Sequence, residues 1–275
     1  GSELKRLRDE VHDEERCAEG AAIRENLKLL SVGYGFVGKA AGEYIAPHIK
    51  QHVIIDPAHS TERIADHADA GAAIVAVPTP TVNGVCDDSV IVDVVTQLIA
   101  ANPDIKILLK STVPPDQLEK LPANVTYNPE FLTEADSHEQ FCHQKFAIFG
   151  GHHCRSWYEL YINSGIKIDK VRFTSMKNAA YAKYTINSFL ATKVIFFNEL
   201  YNMYCDDGFD ELTEIVSMDE RIGKSHMMVP GPDREFGFGG MCLPKDTLAF
   251  ATSASRKGSP LKLLEEAILI NNQLR

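Results

Sequence analysis

Between residues 27 and 150, six short apolar runs recur: LKLLSV, HVIID, AAIVAV, IKILLK, NVTYN and KFAIFG. They are rich in β-branched residues. Most are separated by segments with helical spacing, such as DDSVIVDVVTQLIAAN at 87–102. Short buried strands alternating with helices predict a parallel sheet covered on both faces. Beyond about residue 172 the strand pattern is expected to stop. The segment 175–205, SMKNAAYAKYTINSFLATKVIFFNELYNMYC, lacks Gly and Pro and carries helical periodicity. The pattern predicts a charged N-terminal extension over 1–26, an α/β domain over 27–172, and an all-helical domain with one long helix over 173–275.

Composition narrows the classes. At 275 residues with 44% hydrophobic and 24% charged content, the chain has the apolar material of a globular protein. No apolar run reaches the length of a membrane span, so no membrane partner is expected. A net charge of −10 argues against nucleic acid as a main partner. An anionic small molecule stays compatible with it, because a local basic pocket can sit on an acidic protein. Six cysteines without regular spacing suggest no disulfide framework, and a reducing, cytoplasmic location is expected.

The first run ends in Gly33-Tyr34-Gly35-Phe36-Val37-Gly38, between a strand and a helix. In such a turn the first glycine permits the tight bend, the second lets the backbone approach a pyrophosphate, and the third allows close helix–strand packing. The phosphates would lie on the helix N-terminus. The second run ends in Asp56, at the spacing of an acid that bonds the ribose hydroxyls of NAD and disfavours the extra phosphate of NADP; a helix cap is the alternative. Together these predict a Rossmann-type domain with NAD as cofactor.

Later runs end in PTPT (78–81), STVPP (111–115) and PEFLTE (129–134). Each places hydroxyls or carboxylates where ligands of parallel sheets bind. In the long helix, Lys183 and Asn187 are four apart and share a face. An ammonium and an amide there can hold an oxyanion, although a solvated surface pair has the same spacing. Finally, GFGGMCLPKD (237–246) sets Cys242 between glycines and Pro-Lys-Asp.

In order, the motifs GYGFVG, VPTP, KSTVPP, NPEFLTE, AKYTINSFLATKVIFFNE, RIG (221–223) and FGGMCLPKD resemble the UDP-glucose/GDP-mannose dehydrogenase family. The resemblance runs from about residue 28 to the C-terminus and implies NAD-dependent oxidation of a sugar C6 alcohol to a carboxylate, with UDP-glucose the leading substrate. It implies that Cys242 is the nucleophile, with Thr112, Glu130, Lys183, Asn187 and Asp246 completing the catalytic set. The cofactor would contact the glycine turn, Asp56, Val77, Pro78, Thr79, Ser111, Thr112, Glu134 and Lys245. The substrate would meet Glu130, Phe131, Leu132, Lys183, Asn187, Arg221, Phe236, Gly237, Phe238, Gly239 and Cys242. A thiolate attacks the first-formed aldehyde, and the thiohemiacetal is oxidised to a thioester that water hydrolyses. Two oxidations at one carbon call for such a tether. A helix N-terminus at Pro244 and the Lys245 ammonium would both favour the thiolate. A homodimer through the helical domain is also implied.

The chain departs from the family pattern in three respects. It stops before the family's C-terminal domain, so a short form is expected. The segment between RIG and the cysteine is longer than usual. Met241 and Asp116 replace a frequent serine and glycine. Two other readings compete: a single-oxidation hydroxy-acid dehydrogenase, and a non-catalytic homologue that binds NAD or a sugar nucleotide. Cys142-His143 and His152-His153-Cys154 contain metal-ligand types, but they lack CxxC or HxxxH spacing and no metal is expected.

Overall fold

A computed structural model describes residues 26–132, 137–204 and 207–275. The extension read over 1–26, Asn26 apart, lies outside the described residues, as does Glu134. The chain divides into two compact units. The first contains the chain through Thr79 and Asp88–Tyr181; the second contains Pro80–Asp87 and Ala182–Arg275.

The first unit opens with β1 (Lys28–Val32), α1 (Phe36–Ile45), β2 (Gln51–Ile55) and β3 (Ala72–Val75). The hairpin β4 (Thr81–Val82) and β5 (Val85–Cys86) follows and belongs to the second unit. The chain returns through α2 (Ser89–Ala101), β6 (Lys106–Leu109), α3 (Pro115–Leu118), β7 (Val125–Tyr127) and α4 (Ser137–Cys142). Then come β8 (His143–Gln144), β9 (Ala147–Gly151), α5 (Cys154–Asn163), β10 (Lys167–Ile168), β11 (Val171–Thr174) and the start of α6 (Met176–Tyr204). Seven strands form one sheet in the order β11-β9-β7-β6-β3-β1-β2. From β2 to β7 every pairing is parallel, and Ile55, Val32, Val75, Leu109 and Tyr127 stand level across it. The residues just beyond these five therefore share one edge. The strand order reverses beside β1, which makes the gap between β1 and β3 the switch point where ligands of such sheets bind.

Both faces of the sheet are covered, which is why the strands read as continuous apolar runs. Leu30, Val32, Ala73, Val75, Ile107 and Leu109 pack on one side with Val94, Val95 and Leu98 of α2 and Ala179 and Ala180 of α6. Leu29, Ile74, Leu108 and Phe149 pack on the other with Ala40, Ala41 and Ile45 of α1 and Trp157, Leu160 and Tyr161 of α5. Each large aliphatic side chain so buried contributes about 1.5–3 kcal/mol.

The sheet differs from the all-parallel expectation at one pairing. β9 runs antiparallel to β7, and β11 is parallel to β9. A parallel return needs a crossover that spans the sheet. The six residues of α4 rise only about 9 Å. β11 also extends the strand pattern to Thr174, two residues past its expected end.

The second unit holds the rest of α6 with α7 (Phe209–Ser217), α8 (Leu243–Arg256) and α9 (Lys262–Leu274). α6 spans 29 residues, matching the Gly- and Pro-free segment. The β4–β5 turn uses Asn83 and Gly84 at φ 50° and 75°, the positive values that a two-residue hairpin turn requires. Cys86 of this hairpin packs with Tyr184 of α6 and Ala249 of α8. A Cβ on Gly84 would lie 2.6 Å from the Thr252 hydroxyl of α8. Between α7 and α8, residues 218–242 form neither helix nor strand. Such a length of irregular chain inside a compact unit points to function.

Candidate functional site

In the first unit the predicted residues follow the level ends of five strands, and side chains stitch those ends together. Gly33, at φ 83°, donates its N–H to the Ile55 carbonyl at 3.0 Å. A Cβ there would stand 2.5 Å from the Ala76 carbonyl oxygen, and one on Gly38 would collide with the Gly33 carbonyl. Gly35 has open space where its Cβ would be. It is the N-cap of α1, whose first turn contains no acidic residue. The two flanking glycines are thus demanded by packing, and the middle one leaves room above a helix N-terminus. That cradle suits a pyrophosphate.

Asp56 follows β2. Its Oδ2 accepts the Tyr34 N–H at 2.7 Å, and its Oδ1 accepts the Ala58 N–H at 2.9 Å and meets His59 Nδ1 at 3.2 Å. These contacts, the Tyr34 N–H foremost, hold its carboxyl below the usual carboxylate range. Asp56 is therefore a carboxylate docked on the glycine turn, and it also caps the turn over residues 57–59, which is not a helix. The Tyr34 ring is buried, and burial followed by the charge of Glu43 raises its phenol pKa.

Beyond β3, Val77 and Thr79 are buried, and Ser111 after β6 donates its hydroxyl to the Val77 carbonyl at 2.7 Å. Pro78 between them is exposed, and Thr112 is half-buried. Beyond β7, Glu130 Oε1 accepts the Phe131 N–H at 2.9 Å, and Oε2 pairs with Lys110 Nζ at 2.8 Å. The Phe131 ring lies tilted against Phe146 with centroids 4.6 Å apart, and Leu132 packs against the core.

Lys110 is a residue that sequence reasoning passed over. It ends the run IKILLK, is only 3% exposed, and also bonds Asn128 Oδ1 at 2.7 Å and Tyr161 Oη at 3.4 Å. Burial works against its ammonium, but Glu130 and Tyr161 prevail and raise its pKa above the ordinary value. A lysine closing an otherwise buried strand was the available signal, since a buried charge needs a partner.

In the second unit, α6 and α8 supply the other group. Lys183 and Asn187 are buried one turn apart on α6. Asn187 donates its amide N–H to Asp246 Oδ2 at 2.6 Å, and Lys245 Nζ reaches Asp246 Oδ1 at 2.5 Å. Asp246 is 1% exposed. An amide has two N–H donors, and this contact uses one of those on Asn187. Cys242 is the half-buried N-cap of α8, and its carbonyl accepts the Asp246 N–H at 2.9 Å. The helix begins at Leu243, one residue before the Pro244 start read from sequence.

The glycine loop before Cys242 is held by two asparagines that the sequence did not single out. Asn198 of α6 accepts the Gly237 N–H at 2.9 Å. Asn271 of α9 accepts the Phe238 N–H at 2.6 Å and donates to the Phe238 carbonyl at 3.1 Å. Gly237 has φ 70°, and a Cβ there would strike the Asn271 side chain. Phe238 is buried, Phe236 packs beside Phe209 and Met227, and Gly239 is half-buried. Arg221 is exposed and paired with Asp219 at 2.6 Å, while Lys193 of α6 bonds the Ile222 and Gly223 carbonyls beside it. Among the described residues no three His, Cys, Asp or Glu side chains form a group able to hold a metal ion.

Residues 177–273 match the central domain of the UDP-glucose/GDP-mannose dehydrogenase family. The UDP-glucose 6-dehydrogenase of Rickettsia felis is 32% identical over 225 residues, covering 74% of this chain and 48% of that protein. The chain thus spans about half the length of such relatives. A UDP-glucose dehydrogenase structure from Pyrobaculum islandicum matches 90% of this chain and 68% of that one with TM-score 0.77 and 22% identity. A 3-hydroxyisobutyrate dehydrogenase from Mycobacterium tuberculosis matches 90% of this chain and 93% of that one with TM-score 0.71 and 16% identity. At these identities the two structures speak for the fold alone.

Proposed function

The chain belongs to the UDP-glucose/GDP-mannose dehydrogenase family through its central domain, residues 177–273, and from that premise we propose that it takes part in NAD-dependent oxidation of a nucleotide sugar at C6, UDP-glucose first, to the uronate. The observation that carries this reading is the buried Asn187–Asp246 contact one helical turn from Cys242. It supports the reading because a buried carboxylate and an amide donor meet on the helix whose N-cap is Cys242.

In the first unit, the Gly33–Gly38 turn would take the NAD pyrophosphate on the N–H groups of α1, and Asp56 would accept from the ribose. Bound NAD supplies the acceptor for the two electrons released at each oxidation. Lys183 and Asp246 would hold the water that removes the alcohol proton. The Cys242 thiolate would add to the aldehyde carbon, keeping it on the protein as a thiohemiacetal and then as a thioester. Lys183 and the second N–H of Asn187 would face the oxyanion. Glu130, carried by Lys110, would take the proton of the hydrolytic water, releasing carboxylate and regenerating the thiol. The loop around Phe236–Gly239 would receive the sugar nucleotide.

Phe189, Phe196 and Met203 lie seven apart along α6 and are 69%, 60% and 75% exposed. This stripe supports self-association as a homodimer through α6. No helix among the described residues is long and apolar enough to cross a membrane.

The deciding assay measures NADH production with UDP-glucose, UDP-galactose, UDP-N-acetylmannosamine and GDP-mannose. Two NADH per carboxylate are expected with one of them, and loss of at least about 10²-fold in Cys242→Ala. One NADH per product, or full activity in the variant, overturns the two-step reading. Silence across the panel with NAD binding intact favours a non-catalytic role.

A further inference from the structure

Asp56 has more partners than a waiting ribose acid needs. A carboxylate offers about four lone-pair sites. Both on Oδ1 are taken, by the Ala58 N–H at 2.9 Å and by His59 Nδ1 at 3.2 Å. On Oδ2 one is taken, by the Tyr34 N–H at 2.7 Å. The two backbone donors belong to the turns that place the carboxylate and cannot leave without remaking them. The imidazole can leave: His59 is a half-exposed side chain after β2, held by this one hydrogen bond and an edge contact with the Tyr34 ring at 5.4 Å. A ribose presents two adjacent hydroxyls. One finds the free site on Oδ2, and the second meets a site that His59 already fills.

We infer that His59 competes with the ribose of a bound dinucleotide for Asp56 and thereby sets the affinity for cofactor. The inference rests on the reading that Asp56 is the ribose acid. Because a carboxylate only accepts, the ring nitrogen facing it carries a proton in either charge state of the imidazole. The bond it donates to the ionised carboxylate is charge-assisted, which makes it about twice as strong as a neutral pair. While the imidazole holds Asp56, cofactor binding is weakened. The groups that face this contact are Asp56 itself and Tyr34, with Glu43 of α1 and His52 of β2 acting behind the Tyr34 ring. Burial pushes the His52 imidazole down, and its Nε2 is engaged with the Ser31 hydroxyl at 2.8 Å. Asp56 is held ionised well below neutral pH by its backbone donors.

The test is the NAD dissociation constant of the full chain, by calorimetry, for the unaltered protein, His59→Phe and Asp56→Asn. Phenylalanine keeps the edge contact with Tyr34 and removes the nitrogen. His59→Phe should bind NAD about 3- to 10-fold more tightly than the unaltered protein. Equal or weaker binding by His59→Phe overturns the inference while leaving the NAD reading in place. If Asp56→Asn binds NAD as well as the unaltered protein, or if no protein binds it, the ribose-acid reading fails and takes the inference with it. Superimposable thermal melts confirm that the variants fold.

Discussion

At the scale of single residues, two cysteines show how position and burial divide the same chemistry. Cys242 is the N-cap of α8, and Cys154 is the first residue of α5. A helix N-terminus favours a thiolate, yet burial disfavours it. Cys154 is enclosed, donates to the Gly151 carbonyl at 3.1 Å, and burial pushes its thiol up to about 11. Cys242 is half-buried. At about pH 8 we expect iodoacetamide to label Cys154 on the order of 10²-fold more slowly than a free thiol, because the thiolate fraction is smaller by that factor. Residue-resolved mass spectrometry of the labelled chain reads this, and a Cys154 rate near the free-thiol rate contradicts it. The sign for stability follows from the raised folded-state pKa. The contribution of the neutral thiol is complete below the unfolded value of about 8.5 and is lost as pH climbs through about 11.

At the scale of elements, α6 supplies different chemistry on different faces. Lys183 and Asn187 are buried; Lys193 and Asn198 hold loop backbone; and Phe189, Phe196 and Met203 stand exposed at seven-residue spacing. Seven residues is nearly two helical turns, so these three share a face. Replacing Phe189 and Phe196 with Glu removes two large apolar groups from that face without touching the buried side. If α6 joins two copies, sedimentation of the double variant should show a monomer where the unaltered chain sediments as a dimer. A double variant that remains dimeric moves the interface elsewhere. The hairpin β4–β5 is the other element with a specific task, since it braces α8 through Cys86, Gly84 and the Thr81–Lys245 contact.

For the whole molecule, the reading requires that the unit carrying Gly33 and Asp56 bind dinucleotide. A ligand that binds only the folded state at about 100 times its dissociation constant adds ~2.7 kcal/mol of stability. For a chain of this size that corresponds to a rise of about 5–10 °C in the melting temperature. Calorimetric scans with and without NAD read it, and a scan in which no transition moves counts against NAD as the ligand of this unit. The acidic net charge of −10 does not oppose such a ligand, because the cradle is built from backbone N–H groups and a first helical turn free of carboxylates.

The amino-acid sequence by itself determined the layered α/β unit, the long helix and the ordered motifs. Each is written in local periodicity or in residue types that a backbone turn demands. Apolar runs of strand length, a 31-residue stretch free of Gly and Pro, and glycines at Gly33 and Gly38 carry their reasons in the chain itself. Asn83-Gly84 was legible by the same rule and marks the hairpin between them. Tertiary structure decided what no local pattern records. It paired Glu130 with Lys110 across two strands, set Asn187 against Asp246 across 59 residues, filled Asp56 with His59, and turned β9 antiparallel. The physical reason is common to these. A charge or amide in sequence has many possible partners, and only burial and register in the folded chain select one.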